Sequence, residues 1–160
     1  MKKRITSFLP VAVLLTVLVG GLEAKIASFE DPSEPIVPLV EIVPPPQNLS
    51  AEKACLSGVF QGELRPNGWG ATGFQLYNKI VVVVRKIDAS AAEIMYYWGE
   101  APAWDVTAGQ MKFTATFDEG GKLRYSEGEK TWLLYSQNGT VIFERLKASY
   151  NLKAVMTKRR

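Results

Sequence analysis

The chain has no histidine and a single cysteine. Without an imidazole, a Ser-His-Asp hydrolase or a Cys-His protease has no base. Zinc sites built on histidine are excluded, and one thiol cannot form a cysteine cluster. Cys55 has no partner for an intrachain disulfide. It is expected to be buried or half-buried at the start of the first strand, or else to be a reactive or dimer-forming thiol. No acidic run has the D-x-D-x-D-G spacing of a calcium loop. Gly68, Gly70 and Gly73 in NGWGATG lack the Lys-Ser/Thr ending of a phosphate loop and fall between strands, not before a helix. No cofactor motif is left, and no cofactor or metal is expected.

A basic patch is also missing. The 160 residues carry 19 Lys/Arg against 16 Asp/Glu. Lys2, Lys3, Arg4 and Lys158, Arg159, Arg160 sit at the extreme ends of the chain. Setting aside residues 1–24 removes three basic residues and Glu23, which leaves 16 against 15. Such a balance gives no footprint for nucleic acid.

What is present begins with the N-terminus. KKR precedes ITSFLPVAVLLTVLVGGL and then LEA, the order of a secretory signal peptide: basic residues, an apolar core, small residues near a cut site. Cleavage is expected after Ala24. The alternative is an uncleaved anchor, since residues 5–22 approach the length of a membrane span. In either case basic residues stay inside and the rest of the chain is exported, to a bacterial periplasm or beyond. A membrane is a partner only if the segment is retained.

Residues 25–50 form a proline-rich acidic linker. Pro32, Pro35, Pro38, Pro44, Pro45 and Pro46 lack amide donors and fix φ, so this stretch cannot enter a sheet interior. A semi-rigid spacer is expected, available to an envelope protein partner. Ile36, Val37, Leu39, Val40, Ile42 and Val43 are apolar for a spacer, and the alternative is that they lie along the domain surface.

Residues 51–160 are the folded domain. They show no amphipathic helix of useful length, but short alternating strands between turn residues at about ten-residue spacing. Leu56, Gly58, Phe60, Gly62 and Leu64 share one face. Residues 74–88 form a long apolar strand, with Ile80 to Val84 buried on both faces. Residues 92–99 place Ile94, Tyr96 and Trp98 on one face, Met95 and Tyr97 on the other. Met111, Phe113, Ala115 and Phe117 alternate with Lys112, Thr114 and Thr116. Strands at 123–126, 131–136, 140–146 and 150–156 complete the set. Glu119-Gly120-Gly121, Glu127-Gly128 and Asn138-Gly139 mark turns, the last a type I′ hairpin. The fold expected is all-β: an antiparallel meander of about eight strands closed or partly closed into a barrel. An immunoglobulin-like sandwich is the alternative.

The stretch YYWGEAPAWDVTAGQMKF (96–113) concentrates the candidate site. Tyr97, Trp98 and Trp104, with Trp69 in another loop, are the residue types that stack on sugars or flat apolar ligands. Their expected role is non-catalytic binding of a glycan or a small hydrophobic ligand. Alternation turns Tyr96 and Trp98 toward the core and leaves Trp104 to face a partner. Glu100 and Asp105 flank Pro102, and two carboxylates beside aromatics are also the ingredients of a glycosidase. The third alternative is a purely structural envelope protein.

KIDASAAEIMYYWGEAPAW, preceded by GVFQGEL and followed by a strand-rich tail ending LKAVMTKRR, resembles a β-module of uncharacterised bacterial exported proteins. Its signature is Y-x-W-G-x-x-P-x-W. The matching positions are Phe60, Gly62, Lys86, Ile87, Asp88, Ala92, Tyr96, Trp98, Gly99, Pro102 and Trp104, with Leu64 where that pattern has tryptophan. The likeness covers most of residues 51–160 and implies export and a β-fold, not a reaction. More loosely, the domain is similar to calycins, the barrel superfamily of lipocalins, fatty-acid-binding proteins and avidins. Gly58-Val59-Phe60 and Gly62-Glu63-Leu64 stand where those barrels open with Gly-x-Trp, and the missing tryptophan argues against biotin. The resemblance implies a small-ligand role.

Overall fold

A computed structural model describes residues 31–66 and 77–159, with the side chain of Trp104 left aside. The expected signal segment, residues 25–30, and the connection 67–76 that carries Trp69 lie outside the described residues.

The domain is all-β. The strands are β1 (Gly58–Pro66), β2 (Asn78–Ile87), β3 (Ala91–Trp98), β4 (Gly109–Phe117), β5 (Leu123–Glu127), β6 (Lys130–Gln137), β7 (Thr140–Lys147) and β8 (Tyr150–Lys158). Each pairs antiparallel with the next, and β1 pairs with β8, so the eight-stranded meander closes into a barrel of the calycin kind. Closure satisfies both edges and replaces the sandwich alternative. The β6–β7 hairpin turns on Asn138 (φ 52°) and Gly139 (φ 77°), the positive pair that a type I′ turn needs.

Strand alternation divides every strand into an inner and an outer row. Inward from β1 to β4 stand Phe60 and Leu64; Ile80, Val82 and Val84; Ala92, Ile94 and Tyr96; Phe113 and Ala115. From β5 to β8 come Leu123, Leu134, Val141, Phe143, Ala154 and Met156. A short helix, α1 (Ala51–Ala54), stands ahead of β1 and was not foreseen. Lys53 Nζ donates to the Ala89 carbonyl at 2.7 Å and lies over the Phe117 ring, while Leu49 packs on the core. Helix α1 thus plugs one end of the barrel. Cys55 caps it and is exposed, contrary to the expected burial, with its thiol donating to the Glu52 carbonyl at 3.0 Å. The turn after the helix, and not the strand, holds this residue, so strand alternation does not govern it.

Ile80 to Val84 are all 1% exposed or less, on both faces of β2. The outer cover is the proline-rich segment. Val37, Val40 and Ile42 pack on outward-facing Val81, Val83 and Tyr97. Prolines prevent this strap from adding a ladder of hydrogen bonds, and it is tied at two points instead. The Ser33 amide donates to the Glu100 carbonyl at 2.9 Å, and the Ser33 hydroxyl accepts from the Glu100 amide at 2.8 Å. Further along, the Val43 amide donates to the Arg85 carbonyl at 2.8 Å, beside the bulge where the β2–β3 register skips Arg85. Ion pairs of Glu34 with Lys79 and Arg159 add to the first tie. Ile36 and Leu39, three residues apart, point away into solvent.

Candidate functional site

At the end opposite α1, strands β1, β3, β5 and β7 finish and β2, β4, β6 and β8 begin. A cavity of about 320 Å³ opens here. Its apolar wall is Leu64, Val106, Met111 and Leu152, with the rings of Tyr96, Trp98, Trp132 and Tyr150. Beneath and around it the rings form two runs. Trp98, Tyr96 and Phe143 follow one another at centroid distances of 5.2 and 5.1 Å. Phe113 stacks on Tyr125 at 4.5 Å, and Tyr125 lies 5.5 Å from Trp132. Among the described residues, large rings on the inner rows leave room at this mouth.

Polar groups enter the cavity from strand ends. Asn78 opens β2 in phase with Ile80, and Arg145 lies near the end of β7 in phase with Val141 and Phe143. Trp132 on β6 stands directly opposite Arg145 in the β6–β7 register. Glu127 and Lys130 face each other across the β5–β6 hairpin at the rim. One guanidinium nitrogen of Arg145 donates to the Tyr150 hydroxyl at 3.0 Å. The guanidinium also faces the Tyr96 hydroxyl. Burial pushes that phenol up to about 12, and the nearby cation pulls weakly in the other direction. Three buried polar atoms have no hydrogen-bond partner among the described residues: Asn78 Oδ1, Trp132 Nε1 and Arg145 Nε. All three residues line this one cavity. Native interiors leave few such atoms, so their concentration in one place is informative.

The residues singled out from sequence are dispersed. Trp98 lines the cavity, and its indole N–H is already used, donating to the Thr107 carbonyl at 2.9 Å. Tyr97 points outward and is 1% exposed beneath the strap, so it offers no ring face to a ligand. The reason is the alternation that sends Trp98 inward. Trp104 ends a short 3₁₀ turn, Pro102–Trp104, within a loop closed by paired Ala101 and Val106. Trp69 lies outside the described residues. Glu100 and Asp105 are exposed on that same loop and do not line the cavity, while Asp105 caps the 3₁₀ turn at φ 54°. Among the described residues, no three His, Cys, Asp or Glu side chains are placed to hold a metal ion.

Arg145, Trp132 and Asn78 were missed. The signal was available, since each is in phase with apolar residues that face inward. A charged residue on the buried phase of a strand end marks either a rim or a site.

A larger groove, about 470 Å³, crosses the outer faces of β1 and β8. Glu34 meets Lys79 and Arg159 there, Glu63 meets Arg65, and Lys153 meets Glu144 outside the barrel. Charges satisfied in this way make a weaker case for a ligand than the unpartnered atoms of the interior.

The fold and cavity together define an eight-stranded up-and-down barrel with helix α1 at one end and a cavity at the other. The chain matches no protein-family model, no curated protein and no solved structure.

Proposed function

We propose that this is an exported, non-catalytic binding protein that holds a small ligand in the cavity at the unplugged end of its barrel. The observation that carries this is the interior space of about 320 Å³, walled by Tyr96, Trp98, Trp132 and Met111. That volume lies at the small end of ligand pockets, which run from roughly 300 to 1,000 Å³. It suits a single ring with short substituents. A glycan chain needs an open platform, and two of the four aromatics expected to build one are divided, with Tyr97 under the strap and Trp98 inside. Export rests on residues 1–24 of the sequence.

The test uses tryptophan emission, because Trp98 and Trp132 line the cavity. The purified chain is titrated with small neutral aromatics, such as indole and p-cresol, and with monosaccharides. Saturable change with the aromatics at or below about 1 mM, the weak limit of specific binding, is the expected outcome. Leu152→Trp fills the cavity and should abolish it while the protein stays folded. Binding that survives Leu152→Trp, or a flat response to every probe, would refute the assignment.

A further inference from the structure

Trp132 is 5% exposed, yet its indole N–H has no acceptor among the described residues. Directly across the β6–β7 ladder, Arg145 Nε is buried and equally without one. Side chains opposed in an antiparallel pair start about 5 Å apart, so the two residues that carry these donors leave the ladder side by side on one wall. Neither can be satisfied by turning over. An indole N–H and a guanidinium N–H only donate, so what they lack is an acceptor. The charge of Arg145 is also uncompensated, since no ion pair joins it to a carboxylate among the described residues. At the rim, Glu127 and Lys130 oppose each other and cancel in net charge. The lining therefore carries one excess positive charge, placed beside two empty donors. Arg145 already gives one N–H to Tyr150 and faces the Tyr96 hydroxyl, which fixes the guanidinium.

We propose that the cavity takes a small organic carboxylate, its two oxygens received by Arg145 Nε and Trp132 Nε1 and its apolar body laid against Trp98, Tyr96 and Met111. A carboxylate supplies two acceptor oxygens for two donors, and its charge offsets the guanidinium. The unpartnered Asn78 Oδ1 on the same lining accepts a hydroxyl or amine hydrogen. The site thereby favours a carboxylate with a donor substituent over a bare fatty chain. This assignment rests on the ligand-binding function proposed above and adds the chemistry of the head group to it.

The experiment compares matched pairs that differ only in charge: phenylacetate with phenylacetamide, and mandelate with mandelamide. Affinities for the full chain are measured by calorimetry and tryptophan emission. Each acid should bind at least about tenfold more tightly than its amide, the value of one charge-assisted hydrogen bond. Mandelate, with its hydroxyl, should exceed phenylacetate. Arg145→Met should bring each acid to the level of its amide. Trp132→Phe keeps a ring and removes only the N–H, and should also lower the preference for acid, which covers the case of an Arg145→Met variant that fails to fold. Equal affinity for acid and amide would overturn the head-group assignment while leaving ligand binding in the cavity intact. Undiminished acid preference in both variants would overturn it too. If no member of either pair binds, the carboxylate assignment falls, and the neutral aromatics above decide separately whether the cavity binds anything.

Discussion

At the plugged end of the barrel, Leu56, Ile87, Leu123 and Leu134 are each 2% exposed or less and surrounded by other apolar side chains. At the cavity end, Asn78, Trp132 and Arg145 carry buried polar atoms that nothing satisfies. The same alternation of inward residues builds both ends. The difference lies in what the sequence places on the inward phase as the strands run out. Burying an unpaired polar group costs on the order of 1–3 kcal/mol, and this chain does so repeatedly at one end only. The apolar packing lies where helix α1 closes the barrel, and the unpartnered polar atoms lie at the other end.

The largest expected effect tests the plugged end. Leu134 sits between Leu123 on β5 and Phe143 on β7 in the ladder register. Leu134→Ala removes a fully buried side chain from a packed interior and should cost about 2–5 kcal/mol in chemical denaturation. A loss below about 1 kcal/mol would mean that this end is no better packed than the other, and the contrast would collapse.

A smaller effect is expected where the strap grips the wall beside the cavity. A Cβ built at Gly99 would lie 1.8 Å from the Ser33 carbonyl oxygen, which is backbone and cannot turn aside. Gly99→Ala must therefore push the strap off its first tie, at about 1–3 kcal/mol. The amides of Ser33 and Val43 should then exchange faster with deuterium, and Val81, Val83 and Tyr97 should become available to an apolar dye. If both amides keep their protection, the strap is not held through Ser33, and its cover over β2 depends on the valines alone.

Much of this was legible in the sequence, and the parts that were not share a cause. Strand positions follow from alternation and turn residues. Asn138-Gly139 marked its hairpin by chemistry alone. The run Ile80 to Val84, apolar on both faces, announced a cover outside the barrel, but period-two logic cannot say which segment provides it. The strap has no period of its own kind in the sheet, because its prolines forbid the ladder. The candidate site was half legible. Trp98 was found as an aromatic, whereas Arg145 and Trp132 became a pair only through register across two strands. Register between β6 and β7 follows from their hairpin, so Asn138-Gly139 contained the information.

The smallest effect on stability, and the sharpest test of the cavity end, belongs to Arg145→Met. This variant loses an exposed hydrogen bond to Tyr150 but also removes a half-buried charge with no ion pair among the described residues, so its net change should stay within about 1 kcal/mol. The difference appears instead in the alkaline titration of Tyr96. Burial raises that phenol from 10.0 to about 12, and the Arg145 cation opposes the rise. A raised folded value means the folded state holds the proton more tightly. Its contribution to stability is therefore complete below about pH 10 and is lost as pH rises through 12. Tyr135 titrates near 12 as well, from burial and its hydrogen bond to Glu144, so Tyr96→Phe is needed to assign the late steps in absorbance at 295 nm. Removing Arg145 should move the Tyr96 step higher still, because the phenolate loses its cation. A step that stays in place would separate Arg145 from Tyr96, and with it the inward orientation on which the contrast between the two ends depends.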